Sequence, residues 1–113
     1  MSYIPEVKQI ISNVTGNITT VVPANMYIVG IVVEGTNANA VTGGIKIGTT
    51  TGGTDVVTAS PVPGNTLTHV SDSLITKRVF SRTVDTTLYI QAVTLFAGAN
   101  INVCVMLREF SFS

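Results

Sequence analysis

The chain has 113 residues, 45% of them hydrophobic and 11% charged, and its six basic and six acidic residues leave no net charge. A chain of this size fits one domain, no apolar run approaches the roughly 18 residues of a membrane-spanning helix, and no basic stripe is present to bind nucleic-acid phosphates. Because an ordinary soluble domain has roughly 25% charged residues, we expect other subunits to cover part of the folded surface.

Strand-forming residues dominate the sequence along its whole length. Val, Ile and Thr are β-branched and favour pleated sheets, while Gly, Pro and Asn interrupt the chain at short intervals that are typical of antiparallel folds. After a lead-in at 1–8, strands are predicted at 9–14, 18–22, 26–34, within 41–48, and at 55–59, 66–70, 78–84, 87–93 and 102–110. The connector 71–77 is expected to hold one helical turn around Leu74 and Ile75.

The predicted strand 26–34 is apolar on both faces, which is typical of a strand buried on both sides. Gly30 in its middle indicates a bulge or a close backbone approach. Strict alternation divides its side chains into two sets, Tyr27, Val29, Ile31 and Val33 on one face and Met26, Ile28 and Val32 on the other.

Alternation also orients the later strands. Ile45 and Ile47 are expected to face inward and Lys46 outward. The last two predicted strands, 87–93 and 102–110, are separated by a short connection with turn residues, so we expect them to form a hairpin. One face of the final strand carries Ile101, Val103, Val105 and Leu107, and the other carries Asn102, Cys104, Met106 and Arg108.

Roughly eight short strands and almost no helix predict an all-β fold, a two-sheet antiparallel β-sandwich with a jelly-roll-like topology. Residues 1–12 are assigned to a lead-in and candidate anchor, and residues 13–113 to a single domain. Apolar side chains left on the outer faces mark the expected subunit contacts. The candidate interface residues are Ile4, Met26, Tyr89, Cys104, Met106 and Arg108.

The sequence offers few groups for catalysis or metal binding. His69 is the single histidine. Ser71, Asp72 and Ser73 follow it too closely along the chain to converge with it as a triad, and Asp85 is interpreted as a turn residue. The carboxylates are scattered singly, so no metal site and no cofactor is predicted. The single cysteine, Cys104, cannot form an internal disulfide. We therefore expect no enzyme; a small hydrolase is the remaining enzymatic alternative, and it would require turnover that disappears in His69→Ala.

Three runs of the sequence resemble small β-sandwich proteins of tailed bacteriophage virions. They are 44–57 (GIKIGTTTGGTDVV), 87–90 (TLYI) and 98–103 (GANINV), and the likeness extends over about residues 26–108. Proteins of this kind decorate capsids or form head and tail fibres. The resemblance implies a jelly-roll head and a homotrimer. The chain departs from many receptor-binding tips because it has no tryptophan.

The resemblance implies a structural virion protein of a tailed phage, an auxiliary capsid or head-fibre subunit that docks on the major capsid protein or another virion component. Synthesis in the host cytoplasm is expected, since the first residues lack the pattern of a signal peptide. The alternative is a fibre tip that recognises a bacterial surface glycan through loops 35–44, 49–54 and 61–66. Neither nucleic acid nor a membrane is an expected partner.

Overall fold

The computed structural model describes residues 6–110, which form eight strands and one short 3-10 helix. The strands are β1 Glu6–Val14, β2 Ile18–Val22, β3 Met26–Gly35, β4 Ile45–Gly48, β5 Val57–Ser60, β6 Leu67–His69, β7 Thr86–Ala92 and β8 Ile101–Glu109, and the 3-10 helix spans Asp72–Leu74. They make two four-stranded sheets, sheet I in the order β1-β8-β3-β6 and sheet II in the order β2-β7-β4-β5. All neighbouring strands are antiparallel. The predicted all-β sandwich is confirmed.

The strand pairing is that of a jelly roll. The first strand pairs with the last, β2 with β7, β3 with β6 and β4 with β5. These four pairs form one long antiparallel ribbon closed by the β4–β5 connection, and rolling that ribbon adds the contacts of β8 with β3 and of β7 with β4. Rolling leaves two stacked sheets of four strands each, which is the jelly-roll form of a β-sandwich.

The core fills the space between the two sheets and follows the alternation of the sequence. Ile45 and Ile47 are fully buried while Lys46 between them is not, as predicted. The same two-residue period holds along β7 and β8. Since apolar burial is the main favourable term in folding, these inward residues stabilise the sandwich: Val22, Ile28, Ile31, Val33, Ile45, Ile47, Val56, Val57, Leu88, Ile90, Ile101, Val103, Val105 and Leu107 are all almost fully buried.

A bulge interrupts the alternation of β3. Its pairing with β8 shifts between Ile28 and Gly30, which makes Val29 the extra residue. The bulge predicted at Gly30 is therefore confirmed. The strict division of faces is wrong, because Ile28 and Ile31 are both fully buried although alternation assigned them to opposite sides. A bulge changes the side-chain period by one residue, which alternation alone does not reveal.

The predicted hairpin of the last two strands is wrong. Strand β8 lies in sheet I between β1 and β3, and β7 lies in sheet II between β2 and β4. Both edges of β8 are therefore occupied, and the connection at 93–100 crosses from one sheet to the other. Long-range pairing replaced the local pairing that a short connection suggested.

The predicted strand at 78–84 is also wrong, since this segment is a loop. Val79 has a φ of 57°, a left-handed conformation that is incompatible with a continuous strand. The loop makes separate backbone hydrogen bonds at the end of the sandwich. Asn25 donates to the Ser81 carbonyl at 2.6 Å, and Ile28 donates to the Arg78 carbonyl at 2.9 Å. The helical turn expected at Leu74 and Ile75 corresponds to the 3-10 helix.

Strand β1 begins at Glu6, three residues before the predicted start at Gln9. Residues 6–11 pair continuously with β8, so this part of the assigned lead-in belongs to sheet I. Gln9 also donates its side-chain amide to the Val21 carbonyl of β2 at 3.0 Å, which ties the edges of the two sheets together.

Candidate functional site

The outer face of sheet I, turned away from sheet II, is apolar along its centre. Strand register places four side chains in one row across it, namely Ile10, Cys104, Val32 and His69. Ile10 is 65% exposed, and Cys104 and Val32 are half-buried. A row of this kind, open to solvent on a regular sheet, is the type of surface that proteins use for contacts with other chains.

Two exposed side chains flank a shallow trough in this face. Leu67 of β6, opposite Glu34 of β3, is 68% exposed and forms one ridge, and Ile10 on the other side of the sheet forms the second. The trough between them has a volume of about 220 Å³ and is lined by Ile10, Val32, Glu34, Leu67, Asn102, Val103 and Cys104. Ridges beside a trough give the face a relief into which a complementary side chain can pack.

Met106 extends the apolar centre toward the end of the sheet where β1 begins and β8 ends. Its methyl group rests over Gly30, because a Cβ atom built on that glycine would come within 2.6 Å of Met106 Cε and 3.7 Å of His69 Nε2. The missing side chain at Gly30 therefore lets Met106 lie flat across β3. The neighbours of Gly30 are thus side chains, so of the two predicted alternatives, a bulge or a close backbone approach, the structure shows the bulge.

An aromatic group continues the same face. The rings of Phe80 and Phe110 are 5.2 Å apart between centroids and tilted by 59°, a favourable arrangement for aromatic pairs. Together with Tyr27 and Arg78 they line a cavity of about 500 Å³. Phe80 is 45% exposed, so the apolar surface of sheet I reaches this end of the molecule.

Polar groups lie around the apolar centre. Asn102 donates its side-chain amide to Glu34 Oε1 at 3.0 Å and accepts the Asn13 backbone amide at 3.1 Å. Lys8 lies on the same face of β1, opposite Met106. This arrangement of an apolar centre with a polar rim is typical of protein interfaces.

The outer face of sheet II is different, because the chain covers part of it. Gly48 in β4 lies under the loop that follows, and a Cβ atom there would come within 2.4 Å of the Gly53 backbone. The loop is held down by Gln91, whose Oε1 accepts the Gly52 amide at 2.8 Å. The other side chains of this face are mainly Thr19, Val21, Lys46, Thr87 and Tyr89.

The stem of that loop is fixed by Asp55. Its carboxylate accepts the hydroxyl of Thr49 at 2.6 Å and the backbone amide of Thr49 at 2.8 Å, with Lys77 Nζ 3.5 Å away. These hydrogen bonds, the Thr49 hydroxyl above all, lower the pKa of Asp55. Hydrogen bonds to the ionised form favour it, so the charged Asp55 side chain holds the two ends of the loop together.

Three of the six predicted interface residues share the outer face of β8. Cys104 and Met106 are half-buried there, and Arg108 is exposed near its end. Their predicted common face is confirmed as a location, and their role as contacts stays a prediction. Sequence reasoning missed Ile10 and Leu67, the most exposed apolar side chains on this face, since each becomes part of it only through pairing with β8 and β3.

The other three predicted interface residues lie elsewhere. Met26 packs against the core at the start of β3, so its assignment to an outer face is wrong. Tyr89 lies on the outer face of sheet II, opposite Thr19. Ile4 lies outside the described residues.

The loops proposed for glycan binding do not form one surface. The connections 36–44 and 61–66 meet at one end of the sandwich, where Asn65 donates to the Asn37 carbonyl at 2.8 Å, whereas 49–54 lies at the opposite end. A groove of about 530 Å³ between the first two is lined by Ala40, Val41, Gly43, Gly44, Ala59, Pro61, Val62 and Pro63. This lining includes neither an aromatic ring nor a charged side chain, so it offers little to hold a sugar.

Within residues 6–110, no group of three or more His, Cys, Asp or Glu side chains is placed to hold a metal ion. No helix of this part of the chain has the length and apolarity to cross a lipid bilayer. Comparisons with protein-family models, with curated proteins and with solved structures found no match to the chain.

Proposed function

We propose that the protein is a structural subunit of a tailed-phage virion, an auxiliary capsid or head-fibre protein that assembles as a homotrimer. One observation carries the assembly part of this proposal: the outer face of sheet I exposes Ile10 and Leu67 beside Cys104, Val32 and Met106 with no covering segment among the described residues. Fully covering an exposed Ile or Leu stabilises an assembly by about 1–2 kcal/mol per side chain.

The size of this face suits a subunit contact. Three of its strands are nine or ten residues long, so the face measures roughly 20 by 30 Å. That is an area of about 600 Å², compared with the roughly 800 Å² that one partner contributes to an interface of standard size. With 11% charged residues in the chain, little else on the surface would oppose association.

The virion part of the proposal rests on the sequence resemblance to phage β-sandwich proteins, and the jelly-roll pairing is compatible with it. Docking on another virion protein is assigned to the end of the sandwich where β1 begins and β8 ends. The connections 49–56 and 70–85 at this end carry Asp55, Asp72, Lys77, Arg78, Arg82 and Asp85, whereas the connections 15–17, 36–44, 61–66 and 93–100 at the opposite end carry no charged residue. Charged groups at a contact provide specificity for a partner.

Sedimentation of the full chain tests assembly. We expect the mass of three chains over a range of protein concentrations. A mass of one chain at the highest concentration would overturn the proposal, because a face that remains uncovered in concentrated solution is not an assembly surface.

Removal of residues 1–5 tests docking separately, since it leaves all the pairs of β1 with β8 in place. We expect the shortened chain to keep the mass of the full chain and to lose binding to phage particles that lack the protein. Unchanged binding would contradict the anchoring role of the N-terminal segment. Antibody labelling of virions in electron micrographs tests location, and absence of label from particles would overturn the virion assignment.

A further inference from the structure

The two margins of the exposed face can be compared row by row. One margin is β1, and the other is β6 with the chain that follows it. Lys8 of β1 shares a row with Gly30 of β3, because Met106 is the partner of both. Val70 donates to the Ile31 carbonyl at 2.9 Å, which extends the β6 pairing and brings Ser71 level with Gly30. Lys8 and Ser71 are therefore at the same height on opposite margins.

The margins carry opposite charges at that height. Lys8 is exposed and makes no ion pair within the described part of the chain. Asp72 follows Ser71, and its side chain is 78% exposed. Its 3.9 Å contact with Arg78 is long and open to solvent, so it contributes little and leaves carboxylate lone pairs for a second cation.

The apolar side chains are arranged in the same way. Ile10 projects from the β1 margin in the row of His69, and Leu67 projects from the β6 margin one row further along. Each margin thus has an apolar side chain near its middle. On the β1 margin the charged residue, Lys8, is two residues from Ile10. On the other margin the charged residue, Asp72, lies in the turn after β6. The two margins complement each other and do not complement themselves.

Resting on the trimer proposed above, we propose that its contacts join unlike margins: the β1 margin of each copy packs on the β6 margin of the next, around a closed ring. Ile10 of one copy then meets Leu67 and His69 of the next, and Lys8 meets Asp72. In a ring whose sheet I faces point to the axis, every copy presents one margin to each neighbour, so three such contacts close the assembly.

The alternative contact between like margins is disfavoured by charge. It would bring the two Lys8 ammonium groups, or the two Asp72 carboxylates, into the same interface, where like charges repel each other. The unlike arrangement removes this repulsion and covers both ridges with apolar surface.

Cross-linking with a short bis-maleimide tests the proposal. One chain carries Ile10→Cys, a second carries Leu67→Cys, and a third carries both, and peptide mapping of the products separates links between residues 10 and 67 from links made by the native Cys104. We expect no link between two engineered cysteines from either single variant alone, links between residues 10 and 67 in two-chain products from their mixture, and a ladder of such links that ends at three chains from the double variant. The wild-type chain gives the background from Cys104 itself, and Val21→Cys on sheet II serves as the control for random collision.

Links between the engineered cysteines of two Ile10→Cys chains would overturn the unlike pairing, because they require two β1 margins to meet. If the cross-linked products of the double variant end at two chains, the closed ring of three is overturned. Either result can occur while the wild type retains an oligomeric mass, in which case assembly stands and only this arrangement fails. A wild type with the mass of one chain would overturn both.

A charge exchange gives a second, independent test. We expect Lys8→Glu and Asp72→Lys each to raise the dissociation constant of the assembly on the order of tenfold, and the double exchange to return it to near the wild-type value. The exposure of both side chains makes misfolding no obstacle to this experiment. Equal and additive weakening in the double variant would contradict their proximity across the contact.

Discussion

The two outer faces of this sandwich come from sheets of the same size but meet solvent differently. On sheet II, the loop after β4 lies over Gly48, and Gln91 holds it down through the Gly52 amide. On sheet I no described segment crosses the face, and Ile10 and Leu67 stand 65% and 68% exposed beside the half-buried Cys104. One face is partly covered by its own chain and the other is left open.

This difference explains how a chain with so few charges is arranged. Covering sheet II uses a loop rich in Thr and Gly, whose backbone is held by the Gln91 amide and by a single charged side chain, Asp55. An open apolar face on sheet I is costly in water and is the natural place for a second chain. The following changes test the contrast, beginning with the largest expected effect.

A lysine placed on each face should have opposite consequences for assembly. We expect Leu67→Lys to reduce the sedimenting mass to that of a single chain, because it would replace an apolar ridge of the proposed contact with a charged side chain that loses its hydration there. The matched change Val21→Lys, at a 40% exposed position of an edge strand in sheet II, should leave the mass unaltered. Equal effects of the two variants would break the contrast between the faces.

The strand glycines of the two sheets should differ in their tolerance of a methyl group. A Cβ atom at Gly48 meets the backbone of Gly53, which cannot move without displacing the loop, whereas a Cβ atom at Gly30 meets only the flexible end of Met106. We expect Gly48→Ala to lower the free energy of unfolding by about 2–3 kcal/mol and Gly30→Ala to change it by less than about 1 kcal/mol. Urea unfolding of both variants measures the difference, and a larger loss for Gly30→Ala would contradict it.

The contribution of the Gln91–Gly52 hydrogen bond to stability should be measurable by itself. Replacing Gln91 with Met keeps the length of the side chain but removes the acceptor of the Gly52 amide. We expect a loss of about 1 kcal/mol and faster hydrogen exchange at the Gly52 amide. Thr87→Val, on the same face of β7, should leave that exchange rate unchanged; similar acceleration in both variants would assign the effect to the strand as a whole.

The smallest effect concerns pH and the stem of the same loop. Because the Thr49 hydroxyl and amide hold the pKa of Asp55 below its ordinary value of 3.8, the ionised carboxylate stabilises the folded state above that value. This stabilisation is lost as the pH falls through the lowered pKa. We expect the wild type to be more stable than Asp55→Asn at neutral pH and the gap to close in acid, as measured by urea unfolding over a pH series.

A Thr49→Val variant sharpens that measurement. It removes the hydroxyl that contributes most to lowering the pKa of Asp55, so the acid-dependent loss of stability should be smaller than in the wild type and complete at a higher pH. An unchanged pH profile would show that the Thr49 hydroxyl does not act on Asp55.

Local sequence determined much of this protein. The dominance of β-branched residues and the regular spacing of turn residues predict the strands, and alternation orients Ile45, Lys46 and Ile47 because successive side chains of a strand point to opposite faces. Cys104, Met106 and Arg108 were placed on one face for the same reason. These inferences succeed because they depend on the geometry of a single strand.

Tertiary structure decided which strands pair and which outer face stays open. The connection between β7 and β8 is short, yet β8 pairs with β1 and β3 from the far parts of the chain. The bulge at Val29 shifted the side-chain alternation of β3 by one residue. Val79 adopted a left-handed conformation, so the segment around it is not the predicted strand. Ile10 and Leu67 joined one surface only through partners distant in sequence, because a sheet face is assembled from registers between strands, and no single segment contains that information.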